Sequence, residues 1–400
     1  MELRPAAPRP GRPAGLTPAA AAAAVVLALA ACAPPVTSTG RPAAGILYVA
    51  NGFDGTITRL DGATGRVLGP PLPAGPAPWG MATGPGGRLL VLASGGGTTL
   101  THVTPGDRPG AGATALPVPL EAHATGAIIA GDGNGRAAVV YRPVAADGTP
   151  VGAVPCRLVL LDVATGTIEA SHAPCGPREV VLSLALGDGP GGPTAYLGVW
   201  RFGSLGVEDG VPPPAPGGGR LRALDLASGA VAAEVELAGV PAQLLVATAP
   251  GRAGQRVYGV EGFRSSSSAD DTPPLYALAD RWVVRGLDPL TLAPHSVIAL
   301  PAQPQALAVA DDGEDAYALA GHGGPALRSQ LVRVDLRRGT VRSLGAVPGS
   351  GYGGLALAGD RLFVPVPEGD AVTVVDRHSG ALLSAAGSGR GPVGIALVGG

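Results

Sequence analysis

Three observations predict an all-β protein. From residue 45 onward short apolar runs alternate with polar residues and are divided by Gly, Pro and Asp, the pattern of half-buried strands between tight turns. The runs recur as four-strand units at a spacing of roughly 40 to 60 residues, which indicates propeller blades. The phase of the repeat is the third observation: the region starts at the second strand of a unit, at Ile46, and stops just after a first strand, Pro392 to Val398. Each end lacks what the other supplies, and pairing them closes a ring and removes the sheet edges that the two ends would otherwise expose. The expected fold is a seven-bladed β-propeller of four-stranded antiparallel blades, closed by the C-terminal strand on the N-terminal blade.

The elements follow in order. Residues 1–31 read as a signal peptide: Arg4, Arg9 and Arg12 precede an uncharged Ala/Val/Leu stretch from 17 to 31, too short to span a bilayer comfortably and ending in small residues. Leu29-Ala30-Ala31-Cys32 looks like a bacterial lipobox, in which the cysteine is acylated and becomes the new amino terminus. Small residues admit the peptidase, and acyl chains replace the lost helix as anchor. The alternative is an ordinary secretory signal with a coincidental cysteine. Residues 32–44, rich in Pro, Ala, Ser and Thr, read as a flexible tether, and residues 45–400 as the propeller. The expected location is extracytoplasmic, with a lipid anchor in the cell membrane.

Within the propeller the first strand of each unit is small and apolar: 79–83, 127–130, 181–186, 244–248, 306–310, 354–358 and 394–398. The second often carries an aromatic: 46–50, 89–93, 137–141, 195–200, 256–260, 316–320 and 362–366. The third runs into a turn: 56–60, 99–103, 157–161, 221–224, 282–287, 331–334 and 371–375. That turn starts at Asp61, Asp162, Asp225, Asp288, Asp335 or Asp376, with a degenerate copy at Thr104-Pro105-Gly106-Asp107. Asp and Ser/Thr side chains bond nearby amides while Gly takes a positive φ, so these aspartates are there for folding. A fourth strand follows the turn.

The segments Tyr48-Val49-Ala50-Asn51, Gly55 to Asp61, Pro78-Trp79-Gly80-Met81-Ala82 and Gly86 to Val91 resemble the YVTN type of β-propeller repeat, and Gly391 to Ala396 is similar to the start of the same unit. The resemblance covers residues 45–400 and is sharp in the first and last blades. It implies an extracytoplasmic seven-bladed scaffold. Members of that family share no single activity, so it implies no catalytic residues.

Composition limits the chemistry. With 46% hydrophobic but only 4% aromatic residues, the core must be built from Val, Leu, Ile and Ala. All 28 basic residues are Arg, which excludes a Schiff-base lysine, a P-loop lysine and a Ser-Lys pair. A formal net charge of -2 suggests no nucleic-acid partner, and the membrane is reached through the lipid anchor alone. Beyond Cys32 only Cys156 and Cys175 remain. They flank a hairpin and invite a disulfide in an oxidising compartment, the alternative being two buried thiols in a register two or three residues off symmetric.

A ligand site is expected where insertions collect. Three long ones, Pro143 to Pro155, Phe202 to Gly219 and Phe263 to Asp280, follow the second strand of consecutive blades and should project from one face. Trp200, Arg201, Glu261 and Arg264 belong to that neighbourhood, with His123 and Arg178 at loops entering first strands. Such a rim can hold a polar or anionic ligand; equally, Gly/Pro/Ser-rich insertions are often only solvated loops.

Catalytic constellations are scarce. The six histidines are scattered without metal-ligand spacing, and no Gly-x-Ser-x-Gly elbow occurs. The acidic runs at 269–271 and 311–315 could attract Ca²⁺, although the second falls where an Asp-Gly turn is expected anyway. Small apolar first strands argue against acid–base work in the channel. No catalytic residue, cofactor or metal is assigned. The expected function is a monomeric binding scaffold for an unknown protein or small-molecule ligand; the alternative, by fold analogy, is a lactonase or lyase with its site at the channel mouth.

Overall fold

A computed structural model describes residues 45–93, 99–104, 114–118, 120, 123–132, 135–144, 156–176, 179–189, 192–201, 219–237, 239–248, 255–263, 281–310, 313–321, 328–348 and 354–398. The signal, the tether and residues 145–155, 202–218 and 264–280 of the three insertions lie outside them, as do Arg178, Arg264, the acidic run 269–271, residues 311–312 of the other acidic run, and the degenerate turn after Thr104.

The strands form seven four-stranded antiparallel sheets. Blade 1 is the composite: Pro392–Val398, Ile46–Asn51, Thr56–Asp61 and Leu72–Pro73, in that order. Blade 2 is Pro78–Thr83, Leu89–Ala93, Thr99–Thr104 and Thr114–Val118; blade 3 is His123–Gly131, Arg136–Val144, Arg157–Asp162 and Ile168–His172. Blade 4 is Glu179–Gly189, Gly192–Arg201, Gly219–Asp225 and Val231–Leu237; blade 5 is Val240–Thr248, Gln255–Phe263, Arg281–Leu287 and Pro294–Leu300. Blade 6 is Pro304–Val309, Asp315–Ala320, Arg328–Asp335 and Thr340–Pro348; blade 7 is Ala356–Ala358, Arg361–Val366, Ala371–Asp376 and Leu382–Gly387. Each first strand neighbours the first strands of both adjacent blades, all the way around. The ring is closed in the register Ile46↔Val398 to Ala50↔Gly394.

The core is divided rather than central. Seven apolar clusters lie one between each pair of blades, from Tyr48, Ile57, Leu89 and Val91 between blades 1 and 2 to Leu47, Val49, Phe363 and Val374 between blades 7 and 1. Strand alternation places one set of side chains in each interface, and both faces of every blade are covered. Tyr48, Tyr196, Tyr258 and Tyr317, with Phe363, take the same place in the second strand of five blades and are all buried.

The aspartate turns form as the residues dictate. In each, one carboxylate oxygen accepts the backbone N–H three residues on, at 2.7 to 2.8 Å for Thr64, Thr165, Ser228, Thr291, Arg338 and Ser379. The residue after that donates its N–H to the aspartate carbonyl, with φ near 70° in five copies, as for Gly65 and Gly380. Blade 5 has no glycine there, and Leu292 adopts φ 56° instead. A left-handed L-residue costs about 1–2 kcal/mol. The Leu292 side chain is buried in the layer between blades 4 and 5, worth about 1.5–3 kcal/mol, so packing holds the strained turn.

Candidate functional site

Antiparallel order gives the ring two distinct faces. The connections from first to second and from third to fourth strand share one, the turn face; Leu226 N donates to Pro193 O and Leu336 N to Glu314 O across it. Connections from second to third strand, and from each blade to the next, share the other. Val144, Arg201 and Phe263, where the three insertions leave their blades, therefore end on one loop face, in consecutive blades.

Two buried carboxylates stand near that face. Glu179 opens the first strand of blade 4, directly opposite Arg201 in the second. Its Oε2 accepts the Gly176 N–H at 2.7 Å and lies 3.1 Å from Arg222 Nη1, while Oε1 lies 3.7 Å from Arg220. Arg222 also donates to Glu234 and to the Pro174 carbonyl, and Arg220 reaches Glu234 and Glu236 at 3.1 and 2.9 Å. Burial alone would raise the Glu179 pKa, but the Gly176 amide and then the two guanidinium groups hold it below the usual range. In blade 5, Glu261 is 2% exposed; its Oε1 accepts the Gly239 N–H at 2.9 Å and its Oε2 pairs with Arg285 at 2.7 Å.

Of the residues expected at the rim, Trp200 is half-buried at the end of its strand, opposite Val180 and Gly219. Glu261 is buried under the rim rather than on it. His123 is the first residue of a strand, opposite Val144, not a loop residue. For Arg201 the backbone position alone is described, and Arg178 and Arg264 lie outside the described residues. Cys156 and Cys175 are joined in a disulfide, with Cα atoms 5.7 Å apart. Leu158 pairs with His172, so Cys156 faces position 174 and the offset is one residue, smaller than expected. A bulge between Leu160 and Leu161 absorbs the difference.

The ionic partners Arg220, Arg222, Glu234, Glu236 and Arg285 escaped the sequence reading. A signal was present: counting back from the Asp225 turn puts Arg222 opposite Glu234 and Arg220 opposite Glu236, as observed. The first strand of blade 4 also begins two residues before the apolar run, which brings Glu179 into an inner strand read as free of charge. Two of the histidines serve the scaffold. His102 Nε2 lies 2.8 Å from the Val163 carbonyl and His172 Nε2 2.8 Å from Leu226, each in the next blade. Among the described residues no group of three or more His, Cys, Asp or Glu could hold a metal ion, and no helix is long and apolar enough to cross a membrane.

No family model matches the sequence, and no curated protein does. Among solved structures the chain is similar to the periplasmic gluconolactonase PpgL of Pseudomonas aeruginosa, at 19% identity over 88% of this chain and 99% of that one, with a TM-score of 0.54. It is also similar to the hydrazine synthase of Kuenenia stuttgartiensis (15% identity, 87% and 99% covered, TM-score 0.56). A third likeness is to apo AztD of Citrobacter koseri (15%, 90% and 98%, TM-score 0.52). These likenesses identify the fold, a seven-bladed propeller, and nothing finer.

Proposed function

We propose that this chain is an extracytoplasmic scaffold, tethered to the cell membrane through Cys32, that binds a protein or small-molecule ligand on its loop face. The observation that carries the reading is topological. Three consecutive blades start their longest connections, 145–156, 202–218 and 264–280, from the same face of a closed rigid ring, the arrangement that builds a composite surface from variable loops. The signal-like N-terminus and the Cys156–Cys175 bridge support an oxidising compartment outside the cytoplasm.

The lactonase reading receives its support from the fold of PpgL. The chemistry of this chain favours it less. A general acid or base needs a carboxyl group free to exchange its proton with substrate, and Glu179 and Glu261 each spend their oxygens on a backbone N–H and an arginine. The test is a pull-down from envelope membranes with the parent protein and with variants in which 202–218 and 264–280 are replaced by short Gly-Ser turns. Loss of the captured ligand or partner is expected. An unchanged set would refute the loop-face reading, and turnover of gluconolactone abolished by Glu261→Gln would favour the enzyme.

A further inference from the structure

We infer that the turn face of the ring is a lipid-facing surface, so that the loop face points away from the bilayer. The inference rests on the acylated Cys32 of the proposed function and adds an orientation to it.

The first argument is where the chain enters the ring. Gly45 stands against the turn of blade 1, where its carbonyl accepts the Gly62 N–H at 2.8 Å. Ile46, the first strand residue, lies opposite Asp61 on one side and Val398 on the other. The polypeptide thus arrives on the turn face. Between Cys32 and that point are residues 33–44, a span of ~40 Å fully extended and ~20 Å as a flexible coil. A blade of six-residue strands is itself ~20 Å tall. Bringing the loop face to the membrane would require the tether to pass outward over a blade and up its full height, a path longer than its coil dimensions. With the turn face down, the tether keeps its coil dimensions and its entropy.

The second argument is the distribution of exposed apolar side chains. Phe53, 74% exposed, stands on the loop face, and Leu182 and Val297 lie within strands; the other five exposed large apolar residues of the described part, Ile46, Val67, Ile168, Val231 and Leu290, are 36% to 51% exposed. Each belongs to a turn-face connection or to the strand residue beside it, and together they come from blades 1, 3, 4 and 5. Val67, Ile168 and Val231 take the same place, six residues after Asp61, Asp162 and Asp225. Single exposed aliphatic residues need no explanation. Their recurrence at the tips of one face, the face from which the anchor departs, matches shallow contact with the headgroup boundary of a bilayer.

The test uses the full-length acylated protein in phosphatidylethanolamine/phosphatidylglycerol vesicles that carry a headgroup-labelled energy acceptor. A donor dye is placed on the turn face through Val231→Cys or Leu290→Cys, and on the loop face through Glu368→Cys, an exposed residue between the second and third strands of blade 7. A thermal melt matching the parent identifies variants that keep the fold, and two turn-face positions guard against loss of one. With the faces ~20 Å apart, transfer from both turn-face sites is expected to exceed that from Glu368→Cys at least about twofold. Equal or greater transfer from Glu368→Cys in vesicle-bound protein overturns the orientation. Protein that fails to float with vesicles, as Cys32→Ala should, overturns the anchor on which the orientation rests.

Discussion

Ile46 lies directly opposite Val398, and the first and last strands of the propeller are thereby hydrogen-bonded in one sheet. The ring owes its closure to contacts of the greatest possible sequence separation, which makes the C-terminal strand disproportionately important. A Cβ on Gly394 would stand 2.6 Å from the Trp79 carbonyl oxygen in the adjacent blade. Gly394→Val is expected to cost about 1–3 kcal/mol through overpacking. Removing residues 392–400 uncovers the edge of Ile46–Asn51, and size-exclusion chromatography should show self-association. A truncated chain that stays monomeric with an unchanged melt would contradict this.

Tyr196 links blade 4 to blade 5, its hydroxyl donating to the Pro289 carbonyl at 3.2 Å. Burial, with the nearby charges of Asp188 and Asp288, pushes its pKa up to about 12. Because the folded value lies above the unfolded one near 10, the stability tied to the neutral phenol is complete below pH 10. It is lost as pH rises toward 12. Tyr196→Phe should lower stability by about 1 kcal/mol at neutral pH and blunt the alkaline loss in denaturant titrations. An alkaline profile identical to that of the parent would show that Tyr196 does not carry it.

Glu179 and Arg222 form a pair taken almost wholly from solvent. Glu179→Ala leaves a buried guanidinium half-compensated by Glu234 and should cost about 3–5 kcal/mol. Glu179→Leu combined with Arg222→Met should cost less than the single change. Since the folded pKa of Glu179 lies below its ordinary value, the pair's contribution is present above the unfolded value near 4.3. It disappears as pH falls through the folded one. Urea melts of parent and variant should converge toward acid; a gap that persists unchanged at the lowest pH would count against the linkage.

The Cys156–Cys175 bridge closes a short loop, 19 positions apart in sequence. Joining positions so spaced limits the unfolded chain by about 3 kcal/mol. Replacing both cysteines by serine should lower the urea midpoint accordingly while the far-ultraviolet spectrum keeps its strand signature. The Arg222 contact to the Pro174 carbonyl remains in that variant and holds the segment locally. A midpoint equal to that of the disulfide-bonded parent would show that the bridge adds no stability.

The sequence alone determined the ring: strand alternation, six aspartate turns and the split blade at Ile46 and Val398 are local patterns, legible because turn chemistry and period-two burial act over a few residues. It also located the Cys156–Cys175 pair, through the hairpin between them. Tertiary structure alone decided how charges are used. Glu179 meets Arg222 across 43 positions, Tyr196 meets Pro289 across 93 and His102 meets Val163 across 61. Such partners are chosen by which blade packs on which. A side chain's own sequence neighbourhood holds no record of the surface it will face, so a rim of polar residues read in isolation turned out to include a carboxylate, Glu261, buried and fully paired inside the ring.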